Sequence, residues 1–313
     1  MKYKKTDLCD KELSAVVLGC DYYGGAIEKA DAHALLDRYF ELGGNVIDTA
    51  RMYAGGQSER TIGEWFKEGG RRSEAFLISK CAHPENGGRA RLSPSEIEKD
   101  IDKSLSLLAT DRLDLLFLHR DDTEEDVCGI IDTLDNMVKK GKILHYGASN
   151  WKSGRIEAAK AYAASAGKKA FAASEIKWSL ARTSPAYAED ETLAIMDGAE
   201  REYYRRAGIP VFAYASQAKG FFAKMETGGA AALSKKARER YLCEKNLAVF
   251  ERAKGLAAEL SVSVNAVNLA YLSSQREPEV FPIIGAKSVL QLEDSLKYAD
   301  LALTEEMLGL LEK

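Results

Sequence analysis

The stretch Asn45–Gly63, NVIDTARMYAGGQSERTIG, contains the pattern that decides the fold. It begins with a short apolar run, NVIDTA, which is typical of a buried β-strand. A loop with Tyr53 follows, and Ser58-Glu59-Arg60 provide a helix start before the amphipathic segment ERTIGEWF. A strand, a short loop and a helix form the repeating unit of an α/β protein with a parallel sheet.

The same unit recurs along the chain, and no linker divides it. The apolar runs are nearly continuous, as expected of parallel strands that are buried on both faces. We predict eight strands, at Ser14–Gly19, Asn45–Thr49, Ala75–Lys80, Leu113–His119, Ile143–Ser149, Phe171–Trp178, Pro210–Tyr214 and Val280–Gly285. This order predicts an α/β fold, a (β/α)8 TIM barrel with extra helices, formed by residues 1–313 as a single domain.

Two segments depart from the regular alternation. The first run could instead pair with Tyr3–Leu8 in an N-terminal β-hairpin that plugs the barrel floor, with one more strand then formed elsewhere. Gln217–Lys245 is rich in Gly, Ala and Lys and has no strand pattern, so we predict a mobile loop and an added helix. Helix starts are predicted at Ser93–Glu96 and at Thr123–Glu125, the second helix ending at Gly141.

Composition limits the classes of function. The chain has 313 residues, 46% of them hydrophobic, which is enough to bury a large core. Its 44 basic and 48 acidic residues give a net charge of −4, without a long basic run, which argues against a nucleic-acid surface. No apolar stretch approaches the roughly 20 residues needed to cross a bilayer, and the N-terminus lacks a signal-peptide core. We therefore expect a cytoplasmic protein with no nucleic-acid or membrane partner.

Cysteine and histidine spacing bears on redox state and metal binding. The five cysteines form no C-x-x-C, which is consistent with a reducing compartment. The four histidines show no H-E-x-x-H spacing, so no metal site is predicted.

Four polar residues fall at, or just after, the C-terminal ends of predicted strands: Asp48, Tyr53, Lys80 and His119. In a barrel these ends open onto the face that carries the chemistry. An ammonium group beside a phenol lowers its pKa, Asp48 would hold the lysine, and His119 would orient a carbonyl oxygen or relay a proton. The set predicts proton donation by Tyr53 to a carbonyl. No side chain supplies hydride, so a nicotinamide is implied, and without a G-x-G-x-x-G it would lie across the barrel mouth.

These residues give the whole chain a resemblance to the aldo-keto reductases, of bacterial type. Asn45–Gly63 resembles the family signature, in which Asp is followed five residues later by Tyr and then by a Ser-Glu helix start. Lys80 in ISK and His119 in LFLH match the other two positions of the tetrad. The resemblance implies a (β/α)8 barrel and NAD(P)H-dependent reduction of an aldehyde or ketone, with Tyr53 as general acid.

The resemblance also implies cofactor contacts. Ser149 and Asn150 resemble the pair that binds the nicotinamide carboxamide, and Tyr214 resembles the aromatic residue that stacks on the nicotinamide ring. Gly285–Ser288, GAKS, resembles the pocket for the adenosine 2′-phosphate, with Lys287 as its main cation. NADPH is thus favoured, with NADH as the alternative. The implied cofactor set is Gly19, Cys20, Asp48, Ser149, Asn150, Glu175, Tyr214, Ser216, Gln217, Lys219, Gly285, Lys287, Ser288, Gln291, Asp294 and Ser295.

Several positions depart from the family pattern. Glu175 stands where a Gln usually binds the carboxamide; a carboxylate can accept from that amide but cannot donate to it, and it favours the positively charged oxidised ring. We therefore expect Glu175 to weaken the preference for reduced cofactor. Ala215-Ser216-Gln217 replaces Ser-Pro-Leu, which alters the pyrophosphate clasp, and Gln291 and Ser295 replace Arg and Asn.

A pocket rim is predicted from Asp21, Tyr22, Arg120, Trp151 and Trp178. Three aromatic and two charged side chains would suit a polyhydroxy, sugar-derived carbonyl substrate. For the side chains of Cys20 and Cys81, inert burial is the preferred interpretation.

Alternatives stay open. Each polar residue alone has a structural explanation: a cap or turn for Asp48, core packing for Tyr53 or Tyr214, and solvation for Lys287. Two other functions are a nicotinamide-binding sensor or regulatory subunit with little turnover, and a metal-dependent hydrolase. The physiological substrate, the reaction direction and the oligomeric state are not determined by the sequence.

Overall fold

A computed structural model describes residues 1–85, 87–183 and 192–313. Strands β1 (Tyr3–Lys4) and β2 (Leu13–Ser14) form an antiparallel hairpin. Eight parallel strands then close a barrel in chain order: β3 (Val17–Gly19), β4 (Val46–Asp48), β5 (Phe76–Cys81), β6 (Leu113–Leu118), β7 (Ile143–Ser149), β8 (Ser174–Lys177), β9 (Val211–Tyr214) and β10 (Val280–Ile284). Each predicted run overlaps one of these strands, with β5 extending one residue further, to Cys81, and the (β/α)8 barrel is confirmed.

The predicted run Ser14–Gly19 is divided between the hairpin and the barrel. Ser14 pairs with Tyr3 in the hairpin, whereas Val17 and Leu18 pair with β10, and Leu18 also pairs with β4. Lys4 Nζ donates to the carbonyl oxygen of Val280 at 2.8 Å, which ties the hairpin to the barrel. Both interpretations of this run are therefore partly correct, and the barrel needs no further strand.

The helices of the described ranges surround the barrel. They are α1 (Lys29–Glu41), α2 (Gln57–Gly69), α3 (Pro94–Leu108), α4 (Val127–Lys139), α5 (Ser153–Ser165), α6 (Gly198–Ala207), α7 (Phe221–Gly228), α8 (Lys235–Tyr241), α9 (Glu244–Leu260), α10 (Val264–Ser273), α11 (Val289–Leu296) and α12 (Glu305–Glu312). None of these helices has the length and apolarity needed to span a membrane.

The predicted helix starts differ in accuracy. Helix α3 begins at Pro94 after Ser93, as its sequence indicates. The start predicted at Thr123–Glu125 is wrong, because α4 begins four residues later, at Val127. There the carboxylate of Asp126 accepts the backbone N–H groups of Cys128 and Gly129, and this stronger cap sets the start of the helix.

The segment Gln217–Lys245 is helical rather than a mobile loop, so that prediction is corrected. It contains α7, α8 and the first residues of α9, and it has no strand, as expected. Phe221 and Phe222 are buried and lie edge to face, and Phe221 also contacts the ring of Tyr241. These aromatic side chains anchor the segment, which its Gly/Ala/Lys-rich composition does not reveal.

Side chains that alternate along the strands separate two apolar cores. The inner core fills the barrel and includes Phe117, Phe212 and Phe281; Phe212 stacks on Phe281 at 4.9 Å and meets Phe117 edge to face at 5.7 Å. The outer core lies between strands and helices. A packed inner core leaves the polar residues at the C-terminal strand ends.

Candidate active site

The four predicted polar residues lie on three neighbouring strands and the turn after one of them. Asp48 is the last residue of β4, Lys80 lies near the end of β5, and His119 directly follows β6. Tyr53 begins a short helical turn, Tyr53–Gly56, after β4. Because β4, β5 and β6 are adjacent and parallel, their ends meet at one edge and bring the four side chains together.

Lys80 is the centre of this group. Its Nζ donates to both carboxylate oxygens of Asp48 at 2.7 and 2.6 Å, to the carbonyl oxygen of Thr49 at 3.0 Å, and to the hydroxyl of Tyr53 at 3.2 Å. The lysine is 0% exposed and Asp48 is 3% exposed. A buried ammonium with this partner set is fixed in position and charge.

Burial and charge act in opposite directions on these groups. Burial alone would lower the pKa of Lys80, but the charge of Asp48, joined by that of Glu175 whenever Glu175 is ionised, outweighs it and holds that pKa well above its ordinary value. Burial raises the pKa of Tyr53, Lys80 opposes the rise, and Asp48 and Glu175 add to it, so the net shift is upward. The expectation of a lowered pKa for Tyr53 is thus corrected: Lys80 acts in the predicted direction but does not prevail.

His119 faces Tyr53. The two rings lie edge to face with centroids 5.7 Å apart, and the backbone N–H of His119 donates to Cys81 O at 2.8 Å. Burial, followed by the charge of Lys80, lowers the pKa of His119 well below 6.5, so its ring is neutral at physiological pH. A neutral imidazole keeps one N–H, which can be donated to a carbonyl oxygen.

His83 is a neighbour that sequence reasoning did not select. Its ring lies edge to face with His119 at 4.7 Å, and its Nδ1 is 2.8 Å from the carbonyl oxygen of Pro84. The available signal was its position three residues after Lys80, in the loop that follows β5.

Glu175, on β8, is a fifth polar residue at this centre. Its Oε2 lies 3.5 Å from Lys80 Nζ, and Ser149 Oγ donates to its Oε1 at 3.5 Å. Glu175 is 3% exposed. Burial, with a further contribution from Asp48 against the opposing effect of Lys80, raises the pKa of Glu175 to about 8.

Asn150 is at the predicted strand end, but other protein groups occupy its amide. Its Nδ2 donates to His119 O at 3.2 Å and to Ser149 Oγ at 3.1 Å. Its Oδ1 accepts from Tyr214 at 2.7 Å and from the backbone of Ala194 at 3.3 Å. An amide with both donors and both lone pairs occupied acts as a brace for the strand ends. Ser149 and Glu175 are left as the groups facing the predicted carboxamide position.

The residues predicted to bind the rest of the cofactor line the ends of β9 and β10. Ser216 is buried, and its hydroxyl donates to Ile283 O at 2.5 Å. Gln217 Nε2 donates to Ser295 Oγ at 3.0 Å and links the loop after β9 to α11. Lys219 lies in the short turn that follows, with φ at +55°.

The turn between β10 and α11 is open. Space is free around Gly285, Gln291 Oε1 accepts the backbone N–H of Lys287 at 2.9 Å, and Ser288 caps α11 by accepting from Gln291 N at 3.3 Å. Lys287 Nζ lies 5.4 Å from the ring centroid of Tyr22, across the mouth. Asp294 is exposed on the same helix.

The predicted pocket rim is partly wrong. Trp151 is 0% exposed and packs against Phe171, and Trp178 is 6% exposed and packs against Tyr271; both belong to the helix layer. Asp21 and Tyr22 are exposed after β3, and Arg120 is half-buried after β6.

The inert burial expected for the Cys20 side chain is confirmed. Its thiol is fully buried in the outer core, so only its backbone is available at the mouth, where its N–H donates to Asp48 O. Gly19, just before it, is tightly packed: a Cβ there would approach Ile283 Cγ2 to 2.9 Å. Within the described ranges, no group of three or more Asp, Glu, His or Cys side chains is placed to hold a metal ion.

Comparison with known proteins identifies relatives over nearly the whole chain. The sequence profile of the Aldo/keto reductase family matches residues 15–313. The aldo-keto reductase ausK of Aspergillus calidoustus is 30% identical over 305 residues, covering 92% of this chain and 73% of its own length. An aryl-alcohol dehydrogenase of Pestalotiopsis microspora is 28% identical, covering 96% and 77%. A solved thermostable aldo-keto reductase, crystallised with the inhibitor epalrestat, superimposes with a TM-score of 0.75 at 23% identity, covering 100% of this chain and 99% of its own.

Proposed function

The chain belongs to the aldo/keto reductase family, and on that basis we propose that it is an NAD(P)H-dependent oxidoreductase that reduces an aldehyde or ketone to an alcohol, with Tyr53 as general acid. One observation carries this proposal. Lys80 Nζ joins a buried carboxylate to the Tyr53 hydroxyl, and the neutral ring of His119 lies beside that hydroxyl. This is an arrangement suited to donating a proton to a carbonyl oxygen as it becomes an alkoxide.

The residues at the mouth fit a nicotinamide dinucleotide. At one end, Glu175 Oε2 is buried and has no hydrogen-bond partner among the described residues, and the Ser149 hydroxyl lies beside the same carboxyl group. At the other end, the open turn at Gly285 and the cation of Lys287 precede the N-terminus of α11, a favourable place for a phosphate. When bound, the nicotinamide supplies the hydride that the protein lacks.

The protein's own groups then hold and move the proton. The raised pKa of Tyr53 keeps its hydroxyl protonated at physiological pH. His119 would donate its N–H to the carbonyl oxygen and orient it, and Tyr53 would pass its proton to that oxygen. Lys80, held by Asp48, stabilises the phenolate that remains on Tyr53.

The residues at the pocket rim support an aldehyde or ketone substrate in general and not a sugar in particular. Two of the three aromatic residues that suggested a polyhydroxy substrate, Trp151 and Trp178, are buried in the helix layer. An aryl-alcohol dehydrogenase is among the relatives, so an aromatic aldehyde is a suitable first substrate. We also propose NADPH over NADH, because Lys287 lies beside the open turn that would receive a 2′-phosphate.

The test is the loss of NADPH absorbance with a reactive aromatic aldehyde, for the wild type and Tyr53→Phe in parallel, with NADH as a second cofactor. We expect turnover in the wild type and a loss of roughly 10²–10⁴-fold in the variant, with NADPH binding retained. Tyr203→Phe is a matched control, since that hydroxyl contacts Glu157 on the protein surface. NADPH binding without turnover in the wild type would support the sensor alternative instead.

A further inference from the structure

The hydrogen-bonding capacity of Lys80 is largely taken up by acceptors other than Glu175. An ammonium group has three N–H donors. Those of Lys80 are shared among four acceptor atoms, namely both carboxylate oxygens of Asp48, Thr49 O and the Tyr53 hydroxyl. Glu175 Oε2 lies 3.5 Å from the same nitrogen, farther than the other acceptors, so Lys80 reaches it only weakly, and the carboxyl group of Asp48 is a further polar neighbour of Glu175.

The charges at this centre do not balance if both acids are ionised. The side chains of Asp48 and Glu175 are each 4% exposed, and a single ammonium lies between them. Two buried carboxylates beside one cation leave an uncompensated negative charge, which is costly, so one acid retains its proton. Burial raises the pKa of Asp48 as well, but both of its oxygens contact Lys80, so we assign the negative charge to Asp48 and the shared proton to Glu175.

A neutral Glu175 differs from the carboxylate assumed from the sequence. A protonated carboxyl group has one O–H donor and retains acceptor capacity, so it can bind a carboxamide in both directions, as a glutamine does. The expectation that Glu175 can only accept is therefore corrected for the neutral form. That expectation still applies to the ionised form of Glu175, which would place a negative charge beside the nicotinamide ring.

The groups that face Glu175 identify what else could titrate there. The ionisable neighbours are Lys80 on β5, Asp48 on β4 and Tyr53 in the turn after β4. The residues paired with Glu175 on the adjacent strands are uncharged: Ser149 on β7 and Phe212 on β9. Asp21 lies further out in the same field; its side chain is solvent-accessible, but partial desolvation by the surrounding protein raises its pKa to about 6. Between pH 7 and 9, Glu175 is the carboxyl group at the mouth that changes charge.

We propose that Glu175 is a specificity-determining residue. When it loses its proton, the protein changes from similar affinity for the oxidised and reduced nicotinamide cofactors to a preference for the oxidised form. The inference rests on the proposed function. The ring of the oxidised cofactor carries a positive charge and that of the reduced form does not, so an ionised Glu175 attracts only the former. Rising pH would therefore favour alcohol oxidation at the level of cofactor binding, in addition to the mass action of the released proton.

The test is equilibrium binding of NADP⁺ and NADPH, followed by protein fluorescence at several pH values from 7 to 9. The quantity compared is the ratio of the Kd for NADPH to the Kd for NADP⁺. For the wild type we expect this ratio to rise by about tenfold over the range, and for Glu175→Gln to stay constant within twofold. Ionisation of the cofactor phosphates is common to both forms and cancels in the ratio.

Two further variants sharpen the assignment. Glu175→Asp keeps a carboxyl group further from the ring, so the rise should persist with a smaller amplitude. Asp21→Asn removes the other mouth carboxyl group, which is already ionised above pH 7, and should leave the rise unchanged. A constant ratio in the wild type, or an equal rise in Glu175→Gln, would overturn the inference while leaving the reductase proposal intact. Failure of the wild type to bind either form would overturn the proposed function and this inference with it.

Discussion

Lys80 Nζ lies 3.2 Å from the hydroxyl oxygen of Tyr53 and 4.9 Å from the centroid of the same ring. The ammonium group therefore contacts the hydroxyl group of Tyr53 and also lies close to its aromatic ring. The backbone fixes this relationship, because Arg51 N, two residues before Tyr53, donates to Lys80 O at 2.9 Å. Neither side chain can move far without breaking the pairing between the end of β5 and the loop after β4.

Replacing Lys80 by Met should abolish most activity and also destabilise the fold. Without the ammonium, the phenolate of Tyr53 loses its stabilising charge, and we expect kcat to fall by roughly 10²–10⁴-fold. The carboxyl group of Asp48 is left buried without its cation, which costs about 3–5 kcal/mol in the free energy of unfolding. Steady-state kinetics and denaturant unfolding measure the two effects. Adding Asp48→Asn should restore stability but not activity; recovery of both would argue against a chemical role for Lys80.

The free energy of unfolding should depend on pH through Glu175. Its pKa in the folded protein, about 8, is raised above the value of about 4.3 for an unfolded chain. A raised carboxyl pKa means that the folded state binds the proton more tightly, so this contribution is full below about pH 4.3 and is lost as pH rises through 8. Relative to Glu175→Gln, the wild type should lose roughly 2–4 kcal/mol between pH 5 and pH 8.5. Urea unfolding of both proteins at matched pH tests this, and parallel curves would contradict it.

Trp151 should matter for stability and not for substrate binding. Its ring is fully buried against Phe171 and beneath the guanidinium of Arg155, whose centre is 5.2 Å from the ring centroid. Trp151→Phe should lower the free energy of unfolding by about 1–3 kcal/mol, while KM for an aldehyde changes less than twofold. A large rise in KM with unchanged stability would restore Trp151 to the pocket rim.

Lys287 should discriminate between the two dinucleotides. Its ammonium lies over Tyr22 and beside the open turn at Gly285, so we expect Lys287→Ala to weaken NADPH binding about tenfold and to leave NADH binding within twofold. Lys297, at the other end of α11, also lies over a tyrosine ring, that of Tyr298 at 5.2 Å, and is a matched control. Titration calorimetry of the three proteins with both cofactors gives the result. Equal weakening of NADPH and NADH would mean that Lys287 does not contact a 2′-phosphate.

Sequence patterns predict the barrel well because the features that specify it lie close together in the chain. Each strand is a short apolar run before a helix start, and polar residues such as Asp48 and His119 mark the C-terminal strand ends directly. Parallel pairing then brings those ends together without further information. The charge state of Glu175 is different, since it depends on how many donors Lys80 has left, a property of the assembled site.

The errors at the site come from the direction and the hydrogen-bond partners of side chains at the ends of strands. Trp151 follows site residues in the chain, but its side chain points into the helix layer. Asn150 is at the predicted position, yet Tyr214 and Ala194 already occupy its amide oxygen. The start of α4 was misplaced because Thr123 and Asp126 are both capping residues and only the structure shows which carboxylate or hydroxyl reaches the backbone.

The contact of Lys4 with Val280 spans 276 positions of the chain. During synthesis, the N-terminal hairpin leaves the ribosome long before the strand that it must meet, and β3 likewise waits for β10 to close the barrel. The strands that bear Asp48 and Lys80 are consecutive, so their pairing needs only the first third of the chain. The Asp48–Lys80 ion pair is therefore encoded in an early, local part of the polypeptide, whereas the barrel around it closes last.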